Sequence, residues 1–189
     1  MHKLERITSR SLALDLTEVK VHLRVDHDTE DNYISDLIYS VQDMLEPPDG
    51  WLGRALARAD YRLTLPGFSS IIRLPAPPFV ELKAFKYFDV DGDEQTVDAD
   101  DYRVIEKDIA YIEIVSGKAW PMLQSGRLDP VKVEYTAGYN GSANVPQAIR
   151  QYMMMQISQL YDMRSLVNAQ QVRRTPYVAN MLEGWRVRL

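Results

Sequence analysis

The sequence contains no cysteine. That excludes a disulfide scaffold, thiolate-bound zinc, an iron–sulfur cluster and a thiol nucleophile. It is compatible with a reducing cytoplasm. Histidine is almost as scarce: His2, His22 and His27 are the only three in 189 residues. Apart from the loose pair His22 and Asp26, none has a partner at metal-binding spacing, so no metal site is expected. Long apolar runs are missing as well. The longest are about four residues, against the roughly 20 that a membrane-spanning helix needs. The opening ten residues lead into no apolar stretch, so no signal peptide is expected. A net charge of −5 argues against general nucleic-acid binding. What is present is 46% hydrophobic and 26% charged residues, the make-up of a folded chain with its own core.

The templates for catalysis and ion binding fail one by one. Asp89-Val90-Asp91-Gly92-Asp93-Glu94 begins like a calcium loop, but such a loop needs glycine at its sixth position and glutamate at its twelfth. Here those positions hold Glu94 and Asp100. The segment reads as a hairpin tip with solvated carboxylates, with weak adventitious cation binding as the alternative. Ser116-Gly117-Lys118-Ala119 is not a phosphate-binding loop, because Ile112 stands where the first glycine belongs and Ala119 where a hydroxyl belongs. No serine elbow of the G-x-S-x-G type occurs. Catalytic residues, cofactor contacts and metal ligands are therefore all expected to be absent.

The hydrophobic period changes twice along the chain. Thr17 can cap a short helix that carries Leu16, Val19 and Leu23 and stops near Asp26. Asp28 can cap a second, whose stripe Ile34, Leu37, Ile38, Val41 and Leu45 ends at Pro47-Pro48. From about residue 58 to 138 short alternating runs separated by turn residues predict an antiparallel β meander. Its members are Tyr61–Leu65, Ile71–Leu74, Val80–Val90, Gln95–Val97, Tyr102–Ile105, Tyr111–Ile114 and Val131–Tyr135. A helical stripe then returns at Ile149, Met153, Ile157 and Leu160, with Pro146 in the first turn. The predicted class is α+β. Two N-terminal helices (1–57) and a long C-terminal helix (139–164) form a small bundle, with the strands inserted at 58–138 and a tail at 165–189. The two helical stripes are expected to pack on each other.

Two segments ask for partners. Met153-Met154-Met155 covers most of a helix circumference, so at least one methionine is expected to face away from the core, where it could meet another subunit. The tail carries Arg164, Arg173, Arg174, Arg186 and Arg188 against Glu183 alone, while the stretch from Asp15 to Asp36 holds seven acids against Lys20 and Arg24. Tyr177, Val178, Met181, Leu182, Trp185, Val187 and Leu189 are too apolar for a solvated end. They are expected to be buried, either on this chain or on a partner.

The ordered set of motifs resembles the head–tail connector (adaptor, head-completion) proteins of long-tailed bacteriophages and prophages, in the branch with a β insertion. The resemblance rests on Leu16-Thr17-Glu18-Val19-Lys20-Val21-His22-Leu23-Arg24-Val25-Asp26, Gly53-Arg54-Ala55-Leu56, Leu74-Pro75-Ala76-Pro77-Pro78 and Tyr87-Phe88-Asp89-Val90-Asp91-Gly92. Asp101-Tyr102-Arg103-Val104, Trp120-Pro121, Ala137-Gly138-Tyr139, Val145-Pro146-Gln147-Ala148-Ile149 and the ending Pro176 to Leu189 continue it in order. Gly184 departs from it, since proline would be expected there. The resemblance implies a non-enzymatic structural protein of the virion neck, made in the bacterial host cytoplasm. It implies a ring, commonly of twelve copies, that docks on the portal after packaging, meets a further neck or tail-completion protein, passes DNA only as cargo and touches no membrane. Portal docking then falls to the tail residues Pro176, Tyr177, Met181, Leu182, Trp185, Arg186, Arg188 and Leu189. Neighbouring subunits would meet through helical faces that include Asp36, Asp43, Met154 and Met155, with the β insert projecting outward. The competing readings are a DNA-packaging accessory and a small-molecule or nucleic-acid binding module without ring assembly.

Overall fold

The computed structural model describes residues 2–163 and 181–187. The chain divides into two compact units. Among the described residues one comprises 10–57, 139–163 and 181–187, the other 2–9 and 58–138. The class is α+β, with antiparallel strands inserted between helices.

The helical unit contains α1 (Leu16–Leu23), α2 (Asp31–Leu45) and α3 (Gln147–Asp162). Asp15, not Thr17, caps α1: its carboxylate accepts the Glu18 N–H at 3.1 Å. The helix stops before Asp26 because Arg24 takes a left-handed φ of 60°, and Val25 N–H then bonds back to Lys20 O. Asp28 does not cap α2. It is held by Lys20 at 2.5 Å, and the same ammonium reaches Asp31 at 2.6 Å, so the helix opens three residues later than the sequence suggested.

The α2 stripe is buried at Ile34, Ile38, Val41 and Leu45, with Leu37 half-buried. It packs with Ile149, Met153 and Ile157 of α3 in one core that also takes Leu14, Val19, Leu52, Leu56 and Leu182. Two positions differ from expectation. Leu160 is exposed, so the α3 stripe ends one turn early. Met154 belongs to the core rather than to an outer face, because the buried arc of α3 is wide enough to take two adjacent methionines. Met155 points out, 43% exposed.

The second unit holds a five-stranded and a three-stranded sheet, both antiparallel. The larger uses β1 (Lys3–Arg6), β2 (Ala59–Leu65), β4 (Phe79–Phe88), β5 (Glu94–Thr96) and β8 (Val131–Ala137), in the order β1-β2-β8-β4-β5. The smaller uses β3 (Ile71–Arg73), β6 (Tyr102–Ile105) and β7 (Tyr111–Ile114), in the order β3-β7-β6. Residues 2–9, grouped above with the helical part, belong here instead. Lys3–Arg6 pairs along β2, and Ile7 N–H extends the ladder to Asp60 O. Strand β8 runs through the middle, with Tyr135 packed between Tyr61 and Phe79. The Tyr135 hydroxyl donates to Pro75 O at 2.6 Å, and burial pushes its pKa up.

At the β4–β5 hairpin the acidic run has a structural use. Asp89 accepts the N–H groups of Asp91 and Asp93 and the side-chain amide of Gln95, and these bonds hold its pKa down, Gln95 contributing most. Glu94 bridges Lys132 and Lys86, two like charges on adjacent strands, and its pKa falls to about 2. A depressed carboxylate stabilises the fold fully above its unfolded value of 4.5, and this contribution fades as pH drops toward about 2. Because the site is open to solvent, Glu94→Gln should cost less than about 1 kcal/mol at neutral pH and nothing near pH 2, as read by urea unfolding at the two pH values.

Candidate assembly surfaces

The described end of the chain is clipped onto the helical unit. Leu182 is fully buried in the core. A single 3-10 turn, Glu183–Trp185, follows it, and Val187 N–H then donates to Leu52 O at 2.9 Å. The segment lies along residues 51–57. Arg54, only 5% exposed, donates from Nε to Trp185 O and sets its guanidinium 5.7 Å from the Trp185 ring. Arg186 sits 5.9 Å from the Trp51 ring, which meets Tyr152 of α3 edge-on at 6.3 Å. Gly53 permits the close approach: its φ is 71°, and a Cβ there would lie 3.2 Å from Val187 Cβ.

Residues 51–57 are themselves held from beneath by a buried polar pair. Glu46, immediately after α2, accepts the N–H groups of Leu56 (2.5 Å) and Ala57 (2.9 Å). Its other oxygen accepts from Gln42 Nε2 at 2.9 Å. Gln42 in turn receives Ala13 N–H at 3.0 Å and donates to Ser11 O. Both side chains are almost inaccessible to water. The pair thus ties the start of the unit, the end of α2 and the loop that receives the C-terminal segment.

This arrangement sorts the residues expected to dock on a portal. Leu182 is a core residue of this chain and is not available to a partner, which corrects that expectation. Its aliphatic side chain packs in the same core as the buried residues of α2 and α3. Trp185 is 36% exposed, Arg186 is exposed and Met181 is partly so. Pro176, Tyr177, Arg188 and Leu189 lie outside the described residues.

The candidate faces between subunits sort in the same way. Asp36 is exposed on α2, and Asp43 is half exposed and paired with Arg10 at 2.7 Å. Met155 is exposed on α3, while Met154 is withdrawn into the core, a second correction. Tyr33 and Met44 add exposed apolar surface to the same helix as Asp36 and Asp43. Neither was singled out, because each sits one step off the stripe. Among the described residues no group of three or more His, Cys, Asp or Glu side chains could hold a metal ion. None of the described helices is long and apolar enough to cross a membrane.

Solved structures share this architecture along the whole chain. A chain from the neck of an empty gene transfer agent (GTA) particle, computed with C6 symmetry, superposes with a TM-score of 0.81 at 25% identity, covering 99% of this chain and 97% of its own. The chain has the fold of a neck protein from a phage-like particle. A chain from the virion of a native GTA particle follows at TM-score 0.79, with 24% identity and 98% and 96% coverage. Another, from the neck of a native GTA particle computed with C12 symmetry, gives 0.74 at 24% identity, covering 99% and 97%. No family model matches the sequence, and no curated protein matches it. The resemblance to head–tail connectors is borne out by these neck structures.

Proposed function

We propose that this chain is a structural component of a virion neck: an adaptor that assembles into a ring of twelve copies, docks on the portal and joins head to tail, with DNA passing through the lumen. The observation that carries this reading is the match of nearly the whole chain, both units together, to neck chains of a phage-like particle. The C6 and C12 symmetry of those necks supports a ring. In such a ring Asp36, Asp43 and Met155 would face neighbours. The net charge of −5 suits a passage through which DNA must slide without adhering, since every phosphate held by a cation adds sequence-independent affinity. The direct test is to assemble particles without this chain. Heads filled with DNA but carrying no tails are expected, and normally tailed particles would overturn the reading.

Docking on the portal is assigned to the clipped C-terminal segment and the residues flanking it. Trp185 and Arg186 offer an aromatic face and a guanidinium at the surface of an ordered segment, a pairing typical of interface anchors. Trp185→Ala should weaken capture by immobilised portal protein roughly tenfold or more. The melting temperature should drop by only a few degrees, because part of the ring is already in solvent. If the basic tail instead contacts DNA, Trp185→Ala will leave binding intact, and binding will fall steeply with salt.

A further inference from the structure

Sixteen residues, 115–130, join β7 to β8 with no regular secondary structure. A loop of that length inside a compact unit usually has a use. This one is pinned along its length. Trp120 stacks on Phe68 with ring centroids 4.8 Å apart and planes 7° apart, and its Nε1 donates to Ser69 O. Gln124 N–H donates to Phe88 O at 3.0 Å, and Phe88 N–H donates to Pro130 O at 2.8 Å. The Arg127 guanidinium lies 3.3 Å from the centre of the Phe88 ring. Between these anchors the loop holds two apolar side chains out in water: Met122 is 80% exposed and Leu128 84%. A mobile loop exposes such residues without consequence. A loop fixed by stacking and hydrogen bonds has already lost the freedom that binding would otherwise remove.

We propose that Met122 and Leu128 form a contact between neighbouring copies of this chain in the ring. This rests on the ring reading above. The occupant follows from two observations. First, the related necks have C6 and C12 symmetry. A closed ring is built from head-to-tail contacts, in which a patch on one copy meets a different patch on the next. Such a contact needs a projecting surface that does not have to match itself, and the pinned loop supplies one. Second, the loop's two cations are engaged at home. Lys118 bonds Asp101 at 2.6 Å, and Arg127 covers Phe88 while bonding Gln124. The loop therefore suits an apolar protein surface better than a nucleic acid. Ile71 on the edge strand β3 and Val80 on β4 are exposed apolar residues outside the loop that could receive it.

The test uses the absence of cysteine. Full-length chain carrying L128C is labelled with a photoactivatable maleimide, built into assembled necks and illuminated. A covalent dimer of this chain is expected, with the attachment site outside residues 115–130 of the acceptor copy. In parallel, Met122→Lys combined with Leu128→Glu should weaken association between copies roughly tenfold or more, with the melting temperature of the free chain unchanged because both positions are exposed. A ring that forms normally while the label couples to another protein, or to nothing, overturns this inference and leaves the ring reading standing. Failure of the unmodified chain to form any ring overturns both.

Discussion

Replacing Glu46 with alanine is expected to lower the stability of the helical unit by about 3 kcal/mol. The carboxylate is buried and serves three donors: the N–H groups of Leu56 and Ala57 and the amide of Gln42. Alanine strands the two backbone N–H groups away from bulk water and leaves the Gln42 amide only its bond to Ser11 O. The loss should spread to the C-terminal clip, since residues 51–57 provide the surface on which residues 182–187 rest. Glu46→Gln keeps one acceptor oxygen and should cost clearly less. Urea unfolding followed by tryptophan fluorescence in a Trp120→Phe background reads this directly. The remaining tryptophans, Trp51 and Trp185, both belong to the helical unit. A cost for Glu46→Ala below about 1 kcal/mol would mean that the pair does not hold the loop.

Leu182→Ala is expected to cost about 2–5 kcal/mol, the usual range for emptying a fully buried leucine site. The expectation is sharp because the sequence around Leu182 reads as a partner-binding tail. If that reading covered Leu182, truncation would leave the free protein's melting curve unchanged and reduce only capture by the portal. The structure instead assigns Leu182 to the same core as Ile38, Leu45 and Met153. Trp185→Ala, three residues later, should show the opposite balance: little change in melting and a large change in docking. An unchanged melting curve for Leu182→Ala would remove the clip from the account.

The parts of the fold legible in the sequence were those with a repeated period. Five apolar positions on α2 and three on α3 lie on one face each, and all but the half-buried Leu37 are buried. The alternating runs between 58 and 138 became strands because turn residues bounded them. What was not legible has a physical reason in each case. Strand β1 spans only four residues and is recruited by pairing with β2, a contact that no local pattern announces. Thr17 has the side chain of a cap, but the helix opens at Leu16 and Asp15 takes the role by accepting the Glu18 N–H three residues on. Asp28 reads as a cap until Lys20, eight residues earlier, takes its carboxylate.

The candidate surfaces divide along the same line. Asp36 and Met155 were readable as outward-facing because they fall opposite a strong stripe. Met154 was not, since the width of the buried arc on α3 depends on what α3 packs against. Glu46 and Gln42 carried no signal, because polar residues at a helix end are solvated in most proteins. Their burial follows from the loop that folds back over them. The apolar character of the C-terminal segment announced the burial of Leu182, but not that Met181 and Val187 are half-buried and Trp185 exposed, nor that Leu182 is buried at home.

The most direct test of the central claim is the mass, by light scattering, of the full-length chain mixed with its portal protein. The account predicts a single complex whose mass corresponds to many copies of this chain in a fixed ratio to the portal. A mixture in which the chain remains a free monomer, or joins the portal only once, would contradict it.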